Sequence, residues 1–242
     1  MPQELPHVLA FDVFGTVVDW HSSIARESSE LAPGIDGAKF ARAWRRGYIP
    51  AMQRAQAETG DAPWKNLDVL HREILDSILP DFGLDDMSET DRDHLTHAWH
   101  RLDPWPDSVA ALRRLRKLFV ITPLSNGNIS LLTHMAKNAG LPWDCVLSAE
   151  VFGHYKPAPQ TYLGVAKVFN LEPQQVMLVA AHHIDLDAAQ DCGLQTAYIE
   201  RPFENGTDRT KDVSPSARHP LHMKDLGALA DYFDQLKRED SQ

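Results

Sequence analysis

The chain has only two cysteines, Cys145 and Cys192, too few for a disulfide framework. Both stand in apolar or turn contexts, the setting of inert buried thiols rather than nucleophiles. No run of ~18 apolar residues exists, so no segment reads as a membrane span. The N-terminus carries no charged-then-apolar signal pattern, and a cytoplasmic protein is expected. Positive charge is also short. Lys+Arg number 24 against 34 Asp+Glu, a net charge of −10. That balance counts against nucleic acid and anionic membranes as partners. An anionic substrate would need a local cationic pocket. The twelve histidines are scattered, with no cluster at metal-ligand spacing. There are no internal repeats.

What remains is an ordinary globular composition. At 242 residues, 43% hydrophobic and 24% charged, the chain suits one α/β domain with a sizeable insertion. Short apolar runs at 8–11, 118–124, 145–147, 176–181 and 196–199 read as strands. Helical patterns separate the later ones. Val109, Leu112 and Leu115 share a face within 107–117. Tyr162, Val165, Ala166 and Phe169 do so within 159–170, with a proline in the first turn. The alternation predicts βαβ units around a parallel sheet. The stretch 226–236 predicts a docking helix. The polar stretch 203–215 predicts an exposed loop.

Between the first and second strands the pattern is helical. Phe40, Trp44, Tyr48, Ala51 and Ala55 recur at three or four residues. So do Leu67, Leu70, Ile74 and Ile78, and then Leu95, Ala98, Trp99 and Leu102. Breaks at Pro33-Gly34, 60–63 and 80–83 divide them. Residues 20–100 are therefore expected to form an all-helical insertion whose aromatic stripes are mostly core. Residues 1–19 and 101–242 supply the α/β core.

The first strand ends in Asp12 and a glycine turn, Asp12-Val13-Phe14-Gly15-Thr16. This places a carboxylate at the edge where open α/β sheets carry their chemistry. By itself it also reads as a turn carboxylate. Three further segments follow in order: Leu124-Ser125-Asn126-Gly127, Tyr155-Lys156-Pro157, and Val179-Ala180-Ala181-His182-His183-Ile184-Asp185. Ser125 and Asn126 stand between a strand and a helix pattern. There they make an anion site at a helix N-terminus, or a plain cap.

Together these segments resemble the four motifs of the haloacid dehalogenase superfamily, a Rossmann-like parallel sheet core with an inserted helical cap. Phosphatases of that superfamily carry a second Asp two residues past the nucleophile. Here that position is Phe14, so the chain looks more like the type II branch, the L-2-haloacid dehalogenases. The resemblance implies a metal-independent hydrolase that needs no cofactor. It converts short L-2-haloalkanoic acids, such as haloacetate or 2-halopropionate, with water to 2-hydroxy acids through an aspartyl ester. It also implies a homodimer.

By the same resemblance Asp12 is the nucleophile and Thr16 orients it. Lys156 neutralises the crowded carboxylates, and Asp185 positions or activates water. Ser125 and Asn126 hold the substrate carboxylate. Arg45 reaches from the cap to the carboxylate or halide, while Tyr162 and Phe14 line the site. Arg42 and Arg46 read as solvated, and Asp187 is a less well-spaced substitute for Asp185. The chain departs from well-known members at Ala180-Ala181-His182, where those have Ser-Ser-Asn. His182 is left to donate a hydrogen bond to Asp12, or to act as base for ester hydrolysis. His183 reads as a solvated loop residue. Two alternatives remain: a Mg²⁺-dependent phosphatase built on Asp12 and Asp185, or a non-catalytic protein on the same scaffold.

Overall fold

The computed structural model describes residues 5–57 and 64–239. Among these, six strands form one parallel sheet in the order β5-β4-β1-β6-β7-β8. They are β1 (Val8–Phe11), β4 (Val120–Ser125), β5 (Leu147–Ser148), β6 (Val176–Ala180), β7 (Gln195–Ile199) and β8 (His222–Met223). Strand β1 is buried throughout and lies between β4 and β6. Phe11 faces Pro123 on one side and Val179 on the other.

Alternation along the strands explains why the sheet is covered on both faces. Leu9 and Phe11 pack in one cluster with Leu112 and Leu115 of α5 (Ser108–Leu115), Met135 of α6 (Ile129–Ala139) and Phe233 of α10 (Leu226–Glu239). Val8 and Ala10 pack in the other. Their partners there are Tyr162 and Val165 of α8 (Pro159–Val168) and Leu186 and Ala189 of α9 (His183–Asp191). A short helix, α7 (Ala149–Phe152), follows β5.

A second, two-stranded antiparallel sheet pairs β2 (Val18–Asp19) with β3 (Asp103–Pro104). It joins the two ends of a helical excursion. Helix α1 (Trp20–Leu31) starts at once, capped by the Asp19 carboxylate accepting from the Ser22 N–H. Then come α2 (Gly37–Ala57), α3 (Leu67–Ile78) and α4 (Glu89–Thr96), and a 3₁₀ turn at His97–Arg101. The predicted break at 60–63 lies outside the described residues. The aromatic stripes are core as expected: Phe40, Trp44, Leu70, Ile74 and Trp99 are buried. They pack in the same cluster as Phe11 and Leu112, so apolar packing runs unbroken from the helices to the sheet.

The structure corrects some expectations. The second strand starts at Val120, because Leu118 and Phe119 hydrogen-bond back to Leu115 and finish the turn after α5. The edge strand β8 was not expected, since two residues carry no alternation to read. The thiols of Cys145 and Cys192 are free but only half-buried. The stretch 203–215 is not simply exposed: Glu204 is 5% exposed. No described helix is long and apolar enough to cross a membrane.

Candidate active site

Asp12 directly follows β1, and its own N–H still continues the ladder by donating to the Val179 carbonyl at 3.0 Å. The chain must then turn sharply. Gly15 takes a φ of +84°, which a side chain disfavours. The turn brings the Thr16 hydroxyl back to Asp12 Oδ2 at 2.7 Å. Thr16 Oγ1 accepts the Ala181 N–H at 2.9 Å, which leaves its hydrogen free to point at Asp12.

Lys156 comes from the loop before α8 and is almost fully buried. Its ammonium donates to Asp12 Oδ1 at 2.9 Å and to Asp185 Oδ2 at 2.5 Å. Burial alone would raise the Asp12 carboxyl. Lys156 and His182 overcome this and hold it far below the usual carboxylate range. Burial alone would lower the Lys156 ammonium, and the two carboxylates raise it above its ordinary value instead. Asp12 is thus an ionised, largely desolvated carboxylate at neutral pH, the state in which a carboxylate can act as a nucleophile. Asp185, in the first turn of α9, is fixed on its other oxygen by the Tyr162 hydroxyl at 2.6 Å. Asp187 is turned away, pairing with Arg218 and His219.

These groups open onto a cavity of about 390 Å³ between the sheet edge and α2. Asp12, Lys156, Tyr162, His182 and Asp185 line it from the core. Phe14, Asn126, Pro157 and Ile184 complete that side. Asn126 Oδ1 accepts the Lys156 backbone N–H at 2.7 Å, and Asn126 shares the cavity wall with Tyr48. Ser125 is not among the lining residues. It is fully buried, and its hydroxyl accepts the Gly127 N–H at 3.1 Å, shaping the turn behind Asn126.

From the helices, Arg45 enters an aromatic cage. Its guanidinium lies 4.1 Å from the Tyr48 ring centre, 5.5 Å from Trp20 and 5.6 Å from Phe14. Among the described residues its Nη1 is buried without a hydrogen-bond partner, a cationic donor suited to an anion. Arg46 is exposed as expected. Arg42 is not solvated: it bonds His21, the Asn205 carbonyl and Asp208. His183 is not a solvated loop residue either. Its ring stacks on Tyr198 at 4.3 Å.

Sequence reading missed Glu204 and Lys211. His182 Nδ1 lies 3.1 Å from Asp12 Oδ2, and Nε2 lies 2.7 Å from Glu204 Oε1. Glu204 Oε2 in turn pairs with Lys211 Nζ at 2.6 Å. Both residues sit in a polar stretch without periodicity, where nothing local marks a buried carboxylate. Tyr48 reads equally well as helix core, and only its place above Asn126 shows that it faces the cavity.

A sequence model of the haloacid dehalogenase-like hydrolases matches residues 6–193. The chain belongs to this family. Among curated relatives, (S)-2-haloacid dehalogenase 4A of Burkholderia cepacia is 28% identical over 195 residues, covering 79% of this chain and 81% of that one. The crystal structure of a defluorinating L-2-haloacid dehalogenase aligns with a TM-score of 0.89 at 42% identity, over 95% of both chains. Another L-2-haloacid dehalogenase aligns with a TM-score of 0.87 at 43% identity, over 95% of this chain and all of its own. Within this hydrolase family, the six-stranded parallel sheet described above carries the shared fold.

Proposed function

We propose that this hydrolase removes halide from short L-2-haloalkanoic acids, giving 2-hydroxy acids through an ester on Asp12. One observation carries the reading. A desolvated Asp12 carboxylate held by Lys156 faces a cavity with a caged Arg45 guanidinium whose Nη1 has no partner among the described residues, and Phe14 stands where a phosphatase needs its acid. Arg45 and Asn126 bind the substrate carboxylate and the departing halide. Asp12 attacks C2, halide leaves with the C–X electron pair, and no oxygen leaving group needs a proton. Asp185 then takes a proton from water, which adds to the ester carbonyl of Asp12. Thr16 orients the nucleophile, Ser125 supports Asn126, and Tyr162 holds Asp185. Residues 20–100 act as the cap that excludes water from the first step. By resemblance the protein works as a homodimer, and the sequence reading puts it in the cytoplasm.

The test is halide release from L-2-chloropropionate and chloroacetate in EDTA, beside p-nitrophenyl phosphate hydrolysis with Mg²⁺. Halide release in EDTA is the expected result. Phosphatase activity without halide release would overturn the reading.

A further inference from the structure

His182 is flanked by two carboxylates, one on each ring nitrogen. An ionised carboxylate only accepts hydrogen bonds, and a neutral imidazole has one N–H to give. With a neutral ring, one of the two contacts would set lone pair against lone pair. Only the imidazolium satisfies both.

Glu204 is fixed independently of His182. Its second oxygen pairs with Lys211, which also donates to the Ala181 carbonyl at 2.6 Å. The Trp20 indole N–H approaches Oε1 at 3.4 Å. Gly15 lies so close that a Cβ there would collide with the Glu204 carboxylate. The charged groups around the ring are then Asp12, Asp185 and Glu204 against Lys156, Lys211 and His182 itself. Arg45, across the same cavity, adds a further cation for the substrate anion, so it is the two carboxylates touching the ring itself that call for the imidazolium.

The two Asp12 oxygens are held differently. Oδ1 faces the Lys156 ammonium, while Oδ2 takes both the Thr16 hydroxyl and His182 Nδ1. We propose that Glu204 is a positioning residue that keeps His182 doubly protonated, so that its Nδ1–H and the Thr16 hydroxyl form a two-donor oxyanion site on Asp12 Oδ2 during ester hydrolysis. The proposal rests on the dehalogenase reading.

Oδ1 bonds to C2 as halide leaves, and Oδ2 becomes the ester carbonyl oxygen. Water gives a proton to Asp185 and adds to Cγ, and the carbonyl π pair moves onto Oδ2 between the two donors. Collapse restores the carbonyl and breaks the Cγ–Oδ1 bond. The departing alkoxide takes the proton from Asp185, and the re-formed Asp12 carboxyl loses one proton to solvent. Alkylation removes the Asp12 charge, one of the two that hold His182 protonated, so Glu204 matters most in the ester state. Burial pulls the His182 ring down, but Glu204 and Asp12 outweigh it and push it up to about 9. A charged His182 has no lone pair to act as base, which leaves that role to Asp185.

Glu204→Gln keeps the size and removes the charge. In rapid-quench turnover of L-2-chloropropionate the first halide should leave at close to the wild-type rate. Ester hydrolysis should then slow by about 10²-fold at pH 7.5, with the loss shrinking as the pH falls toward 5, and the ester should accumulate in the intact mass. Burst and turnover falling together at every pH would overturn the proposal, as would unchanged turnover. Histidine-labelled NMR of the wild type gives a reading that does not depend on the variant's folding. The His182 signal, assigned by its loss in His182→Gln, should remain imidazolium through pH 8. A neutral ring at pH 7 would overturn the proposal. If the wild type releases no halide, the dehalogenase reading fails, while the titration still decides whether Glu204 holds His182 charged.

Discussion

Arg201 grips Asp107 with two parallel hydrogen bonds, of 2.9 and 2.7 Å, across 94 residues of sequence. Its Nε donates to the Thr16 carbonyl at 2.9 Å, and Asp107 also accepts the Leu226 N–H at 2.9 Å. This one pair therefore ties together the end of β7, the turn after Asp12, and the starts of α5 and α10. Arg201→Met should cost about 2–4 kcal/mol, because it strands a half-buried carboxylate. Arg201→Lys should recover little of it, since a single ammonium cannot replace the fork. Urea midpoints of the two variants check this.

Asp12→Asn should abolish halide release, because an amide oxygen is a far weaker nucleophile. Asp185→Asn should still release a first halide and then stall. Mass spectrometry of the stalled protein should find the ester in the peptide containing Asp12. An adduct elsewhere, or steady turnover by Asp12→Asn, would refute the covalent mechanism.

Stability should peak near pH 6.5 instead of forming a broad plateau. On the alkaline side His182, raised to about 9, stabilises fully below its unfolded value of 6.5. That contribution disappears as pH rises through 9, a loss of at most about 3 kcal/mol. On the acid side, burial lowers His71 to about 3, so stability falls as the unfolded histidine protonates below 6.5. Below pH 4.5 the fall steepens. Burial alone would raise Glu204, but His182 and Lys211 hold it at about 2, and Asp12 is depressed further. His71 lies flat on Trp99 at 4.3 Å, so His71→Phe keeps the stack and should make the acid limb shallower from pH 6.5 down to about 3, leaving the alkaline limb unchanged. Urea unfolding at several pH values resolves the two limbs.

Gly15→Ala should destabilise by at least about 1 kcal/mol through its left-handed backbone alone. The added methyl would also displace Glu204. The variant should therefore lose part of the alkaline limb as well. Comparing its unfolding at pH 6 and pH 9 with the wild type separates the two effects.

The sheet was legible because β1 and β6 are continuous apolar runs that end in turn chemistry. The helical stripes were legible because their period is set by burial. Asp12, Lys156 and Asp185 could be picked out because the short motifs around them, in that chain order, resemble those of a known family; alone, each reads as an ordinary turn, loop or first-turn residue. Glu204 could not. Its partner His182 is 22 residues away, and its burial comes from tertiary contacts with Gly15 and Trp20 that leave no trace in local pattern. Arg42 and His183 were misread for the same reason. Long-range ion pairing and ring stacking decide whether a polar residue is wet, and neither has a period.

The position of β1 between β4 and β6 has a consequence for heating. Amides on that strand should exchange with solvent only when the whole sheet opens, so Asp12 should keep its place until global melting. Glu204 hangs on a loop held mainly by side-chain contacts, and local opening there needs far less. Warming should thus separate the two halves of the catalytic cycle before it unfolds the molecule. A protein that still captures substrate but no longer frees itself would inactivate fastest in the presence of its own substrate.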